Sequence, residues 1–209
     1  MKKILAILLI FVTSFVYSQT YDVTISQPHY TAYFENDFMN PTVVVYSLYK
    51  GGGGCNRSKF KFKNDRKDIK TATEKNYTNS GYDKGHLANA EDFAFDCALD
   101  ELTFRFYNCV PQHPKLNRGP WKKIEKDLRK LSQSQEITIM CINIFDGKSF
   151  LPESKIGIPT ECIKLVWDSK TEQPLRGYVF TNNANPQVFE MTHVEIIQKY
   201  NLDVAIFFN

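Results

Sequence analysis

The chain has 209 residues, 43% of them hydrophobic and 23% charged, with a formal charge of +3 at pH 7. That length and composition support one domain with a substantial core and exclude a disordered, fibrous or repeat-built chain. After the N-terminal apolar run no stretch is long enough to cross a bilayer as a helix.

Met1-Lys2-Lys3 is basic, residues 4–16 are an apolar run with few polar interruptions, and Val16-Tyr17-Ser18 offers a small residue at a cleavage point. This pattern predicts a signal peptide over 1–18, a single mature domain over 19–209, and a secreted or periplasmic destination. Removing Lys2 and Lys3 lowers the formal charge to +1. The remaining charge is uneven. Residues 51–86 carry nine Lys/Arg against four Asp/Glu, and residues 115–130 carry seven against two. Two such windows suit a phosphate-rich ligand. Either one alone also reads as a solvated lysine-rich face. Five cysteines, Cys55, Cys97, Cys109, Cys141 and Cys162, leave at least one without an intramolecular partner, and export permits disulfides. The absence of Cys-x-x-Cys argues against structural zinc. Spacing does not give the pairing.

In chain order, residues 19–40 read as an irregular lead-in that packs Tyr30, Tyr33 and Phe34, and residues 41–49 as a strand. Gly51 to Gly54 reads as a mobile turn without the pattern of a phosphate-binding loop. Residues 57–63 alternate: Arg57, Lys59, Lys61 and Lys63 fall on one strand face, Ser58, Phe60 and Phe62 on the other. Residues 64–80 read as loop, 91–97 as short helix or irregular, and 104–107 as a strand. Trp121, Ile124, Leu128 and Leu131 recur at helical spacing, which predicts a helix over 117–133 with Asn117 as its N-cap and Pro120 in its first turn. Strands follow over 136–145, 161–167 and 176–181. A helix over 192–200, capped by Thr192, precedes a closing segment at 204–208.

The chemistry concentrates in Gly81-Tyr82-Asp83-Lys84-Gly85-His86-Leu87. A histidine fixed on such a segment can act as a general base. Alone, Asp-x-Gly-His is more often a turn with a surface histidine. Downstream stand Asn108-Cys109-Val110-Pro111-Gln112, then Leu116-Asn117-Arg118-Gly119-Pro120-Trp121, then Ile124-Glu125. In order and spacing these segments resemble the DNA/RNA non-specific endonuclease family, a branch of the ββα-metal (His-Me finger) nucleases. Lys84 departs from the pattern, which usually has arginine there. Ile158-Pro159-Thr160 also resembles the family, whereas Asn143-Ile144-Phe145 stands where it usually has Gly-Pro.

The resemblance implies an α+β fold with a central, mainly antiparallel sheet flanked by helices. It implies hydrolysis of phosphodiester bonds in DNA and RNA. His86 would be the base, Asn117 the protein ligand of Mg²⁺ (or Mn²⁺), and Glu125 would orient metal-bound water. Arg57 would clamp the phosphate, with Arg66 as its competitor, and Asn108 would hold the site from the next strand. Lys59, Lys61, Lys84, Gln112 and Arg118 would contact substrate, while Asp83 and Gly85 shape the turn. A hard ion that keeps its waters needs few protein ligands. Asn117 could instead be a helix cap, and Glu125 could pair with Lys122 or Arg129 along the helix. His29 and His193 have no motif around them, and His113 reads as a rim residue. DNA and RNA would be bound through the phosphate backbone with little base reading. A homodimer or an inhibitor protein stays open. Two rivals remain: a catalytically weak nucleic-acid-binding protein on the same scaffold, and a toxin or effector nuclease.

Overall fold

The computed structural model describes residues 21–207, so the expected signal peptide lies outside the described residues. Strands β1 (Val23–Ser26), β2 (Thr31–Glu35) and β3 (Asn40–Leu48) come first, then a short helix α1 (Glu74–Tyr77). Strand β4 (Asp83–His86), helix α2 (Cys97–Leu102) and strand β5 (Cys109–Gln112) follow. One turn of helix α3 (Pro114–Leu116) leads through a wide turn, Asn117–Trp121, into α4 (Lys122–Leu131). Strands β6 (Ile137–Ile144), β7 (Glu161–Asp168), β8 (Pro174–Thr181) and β9 (Val188–Met191) precede α5 (His193–Tyr200).

Seven strands form one antiparallel sheet in the order β1-β2-β3-β6-β7-β8-β9, and β4 and β5 pair separately. The central strands β6 and β7 are buried on both faces, which explains their nearly unbroken apolar sequence. One face, with Tyr46, Ile139, Cys141, Val166 and Phe180, packs on Leu87, Val110, Leu116, Trp121 and Leu128 of the β4–β5–α4 unit. The other face, with Met140, Ile163, Leu165 and Val179, packs on Ile196 of α5. The expected α+β arrangement is what the structure shows.

Several local expectations fail for identifiable reasons. The lead-in is two strands, because Ile25, Ala32 and Phe34 alternate into the core and β2 pairs with the edge of β3. Residues 57–63 are not a strand: among the described residues their backbone makes one bridge, from Lys63 to Arg105. The two phenylalanines nevertheless share a target, Phe104. Residues 104–107 pass from an irregular stretch into one 3-10 turn, Phe106–Asn108, and the strand starts only at Cys109. The Gly51 to Gly54 segment is packed rather than loose at two points. Gly51 is buried with its N–H on Ser132 Oγ (3.3 Å), and a Cβ on Gly53 would lie 2.1 Å from the Ala94 carbonyl.

Cys55 and Cys97 form a disulfide across 42 residues, leaving Cys109, Cys141 and Cys162 as buried thiols among the described residues. The bridge ties the glycine-rich segment to the start of α2, where Asp96 caps the helix by accepting from the Ala98 and Leu99 N–H groups. Closing a loop of that size restricts the unfolded chain by up to about 4 kcal/mol. Cys55→Ser with Cys97→Ser is therefore expected to lower stability by about 2–4 kcal/mol, read as a lower denaturant midpoint. Equal midpoints for the two proteins would show that the bridge constrains nothing the fold does not already hold.

Candidate active site

The site starts from the short β4–β5 ladder. His86 ends β4 opposite Cys109, and Gly85 lies opposite Val110. Glycine is required at 85 because a Cβ there would lie 2.2 Å from Gln112 Oε1. Asn108 secures the strand ends. Its Nδ2 donates to the Ala88 and Thr103 carbonyls, and its Oδ1 accepts from the Ala88 N–H, each at 2.9 Å. Asn108 is wholly buried and fully engaged, so it positions the histidine strand and is not a group that meets substrate. Gln112 is also wholly buried, with Nε2 directed at Cys162 Sγ (3.7 Å). That removes it from the expected substrate contacts.

The His86 ring lies between Phe62 and Phe104, with centroids 4.7 and 4.8 Å away. Trp121 Nε1 donates to the His86 carbonyl (3.3 Å), which fixes the backbone from the helix side. Nε2 is buried without a partner. Burial, reinforced by the positive charges of Arg57 and Lys84, lowers the His86 pKa to about 3. The imidazole is therefore neutral throughout the physiological range.

Asp83, at the start of β4, accepts from Arg118 Nε (2.8 Å) and Nη2 (2.6 Å) and from Asn117 Nδ2 (3.0 Å). Burial pushes Asp83 up, but these hydrogen bonds outweigh it and hold the carboxyl below its ordinary range. A carboxylate only accepts, so the Asn117 nitrogen faces Asp83 and its carbonyl oxygen points elsewhere. Asn117 is not a helix N-cap. It has helical φ/ψ (−56°, −48°) after α3, whose cap is His113, with Nδ1 accepting from the Lys115 N–H (3.2 Å). The helical run breaks at Gly119 before α4 begins. The cap reading of Asn117 is thereby excluded.

Glu125 is buried in the first turn of α4, and its Oε1 has no partner. It pairs with neither Lys122 nor Arg129: Arg129 instead donates to Asp92 Oδ1 (2.7 Å) and Asn89 Oδ1 (2.9 Å). Burial lifts the Glu125 pKa to about 7, opposed first by Lys164 and then by a hydrogen bond with Asn89. Lys164 stands in mid-β7, wholly buried, with Nζ 3.2 Å from Cys141 Sγ and 4.0 Å from the Trp121 ring centre. Asp92, also buried, accepts from the Tyr46 hydroxyl (3.1 Å). Asn89, Asp92, Arg129 and Lys164 thus belong to the site but were not among the expected residues. For Lys164 a signal existed, a lysine inside the apolar run Cys162-Ile163-Lys164-Leu165-Val166.

Arg57 is not a vacant clamp. Its Nε donates to Asp100 (2.6 Å), Nη1 to Glu91 (2.7 Å) and Nη2 to the Ala90 carbonyl (3.4 Å). Of the two carboxylates Asp100 is buried and Glu91 is substantially exposed, so the Glu91 arm is the exchangeable one. Arg66 pairs with Asp68. Lys84 pairs with Glu74. Lys59, Lys61 and Arg118 are exposed. His193 is a core residue, Nε2 on the Arg176 carbonyl (2.8 Å) and ring against Trp167. His29 lines a separate cleft of about 530 Å³ whose walls include none of Arg57, His86, Asn117 or Glu125.

Among the described residues, no group of three or more His, Cys, Asp or Glu forms a metal cage. The donors fit a cation that keeps most of its water: an oriented amide oxygen on Asn117 and an unpartnered, buried carboxylate oxygen on Glu125.

The family profile described as DNA/RNA non-specific endonuclease matches residues 12–205. The chain belongs to that family. It is 32% identical over 168 residues to mitochondrial endonuclease G of Bos taurus, covering 72% of this chain and 56% of that protein. It is 34% identical over 125 residues to the Homo sapiens protein of the same name (53% and 42%) and 31% identical over 160 residues to mitochondrial nuclease EXOG of Xenopus laevis (69% and 45%). The chain thus spans about half the length of these curated relatives. The fold matches a crystal structure of the EndoG/EndoGI complex with a TM-score of 0.73 at 22% identity, over 86% of this chain and 84% of that one. In the family member described here, β4, β5 and α4 are the ββα unit.

The buried cluster makes a stability prediction. Removing one partner from a set of buried charges costs about 3–5 kcal/mol, so Lys164→Met is expected to lower stability by that order. Glu125 has a raised folded pKa, so its burial costs nothing below its unfolded value of 4.5 and costs fully above about 7. Without Lys164 that cost grows. The loss in Lys164→Met should therefore be larger at pH 8 than at pH 5 in thermal melts run in chelator. A pH-independent loss would mean that Lys164 acts by packing alone.

Proposed function

We propose that this chain is an exported, metal-dependent and sugar-non-specific endonuclease with one catalytic domain over 19–209, cleaving phosphodiester bonds in DNA and RNA. The observation that carries this reading is one chain of contacts. Asp83 on the His86 strand orients Asn117, Trp121 holds the His86 carbonyl, and Asn89, three residues past His86, meets Glu125 and Arg129. The N-terminal basic and apolar run supports export.

In this mechanism the neutral His86 imidazole takes the proton of the attacking water. A phosphodiester bound beside Arg57 and Lys84 offsets the two charges that depress the ring, so basicity rises when substrate binds. Asn117 Oδ1, with Glu125 behind it, would hold a divalent cation, Mg²⁺ or Mn²⁺. When bound, that cation neutralises charge on the phosphate and at the leaving oxygen. Lys59, Lys61, Lys84 and Arg118 supply backbone contacts. Arg57 joins them by exchanging its Glu91 arm. The matched EndoG structure contains its inhibitor, which favours a protein inhibitor as a further partner here.

His86→Ala is expected to lose about two to four orders of magnitude in cleavage rate while retaining its fold. Because the free-enzyme His86 value lies near 3, kcat/KM should show no inflection at the ordinary histidine value near 6.5. Wild-type turnover by His86→Ala would remove His86 from the mechanism.

The metal assignment has its own test. Asn117→Ala is expected to raise the Mg²⁺ concentration needed for cleavage while costing only about 1 kcal/mol of stability, one hydrogen bond to Asp83. Asn117→Asp should be less stable than Asn117→Ala, since it sets a second carboxylate against Asp83. Titrations of Mg²⁺ against cleavage, with thermal melts, read both. Unchanged Mg²⁺ demand in Asn117→Ala would remove Asn117 from the metal site.

A further inference from the structure

Next to His86 is a pocket of about 540 Å³ lined by Phe60, Lys61, Phe62, Glu74, Lys84 and Phe104. Three of the six lining residues are phenylalanines left only partly buried, an arrangement that keeps flat apolar surface in water. Phe62 and Phe104 each serve twice: they pack on the His86 ring and also wall this pocket. Phe60 meets Phe104 at 5.4 Å and 69°. Lys84 Nζ lies 5.4 Å from the Phe62 ring centre, and Lys61 is exposed at the rim.

We infer that this pocket receives the unstacked base of the nucleotide next to the scissile phosphate. The inference rests on the nuclease reading for the position of that phosphate. Rings shared with His86 put the pocket beside any phosphodiester that reaches the histidine, and the rim ammonium groups suit the flanking phosphates. The occupant is a base rather than a sugar because the walls are aromatic, and bases stack on aromatic rings whatever their sequence. Readout of the base edge is weak, since the one lining carboxylate, Glu74, is already engaged by Lys84. Such a pocket is sequence-tolerant and selects for strand state. A base that enters it has left its helix, so unpaired or mismatched nucleotides are cut before well-stacked duplex.

Phe60 is the residue to change, because it touches Phe104 without touching His86. Two ligands are compared: a short single-stranded oligonucleotide, and the same sugar-phosphate backbone lacking its bases. Binding is measured in chelator at fixed salt, and kcat/KM is measured with Mg²⁺. The wild-type protein is expected to prefer the intact strand by about tenfold, from stacking of one base. Phe60→Ala should lose most of that preference by weakening on the intact strand alone, and Phe60→Trp should retain it. An undiminished preference in Phe60→Ala, or equal weakening on both ligands, overturns the pocket. If wild-type protein binds with the preference but does not cleave, the nuclease reading fails while the base pocket stands. If it cleaves with no preference, the nuclease reading stands and the pocket fails.

Discussion

A lysine ammonium enclosed between the central sheet and helix α4 is the feature on which the site depends. Lys164 is one of the largest fully buried side chains, and its surroundings include the buried carboxyl groups of Glu125 and Asp92. Taking any one of these charges out of water alone would cost several kcal/mol. They are tolerable together because each offsets another, and because Arg129, Tyr46 and Asn89 satisfy the remaining polar atoms. The cluster cannot come apart piecemeal, which fixes α4 to β7 and sets the depth at which Glu125 lies. It leaves Glu125 Oε1 as a polar atom without a protein partner.

The same logic applies to the histidine strand. Four residues paired with four form a ladder too short to be stable in water alone. Support comes from three directions: Asn108 ties the strand ends to α2, Trp121 bonds to the His86 carbonyl, and Phe62 and Phe104 confine the ring. A ring held this way has little orientational freedom left to lose. Its confinement also depresses its pKa and keeps the ring neutral.

The fold class followed from the family resemblance, which rests on the motif-bearing segments, while single elements could be read from local patterns. Strands over 136–145 and 161–167 stand out as unbroken apolar runs, and the helix at 192–200 carries its own capping box at Thr192. What failed depended on distant partners. The pattern at 57–63 describes two-sidedness correctly but cannot reveal that, among the described residues, its backbone makes one bridge. Asn117 has the composition of a cap, and only the fold shows Asp83 claiming its nitrogen. Gln112 looks like a substrate contact, yet it is wholly buried against Gly85. Asp92 gave no local sign at all, because its meaning comes from Arg129, 37 positions away.

Lys84 is the departure from the family pattern that lies in the histidine motif, and its surroundings show how it is accommodated. A guanidinium would offer a planar fork for two phosphate oxygens, whereas an ammonium acts as a point charge. Here that charge is held over the Phe62 ring and paired with exposed Glu74, both of which position the long side chain. A point charge imposes less geometry on the phosphate. Orientation of the substrate would then fall more heavily on groups already fixed by the fold: the oriented Asn117 oxygen and the aromatic walls of Phe60, Phe62 and Phe104. A lysine at this position is thus compatible with a site that takes its precision from a buried scaffold rather than from a bidentate cation.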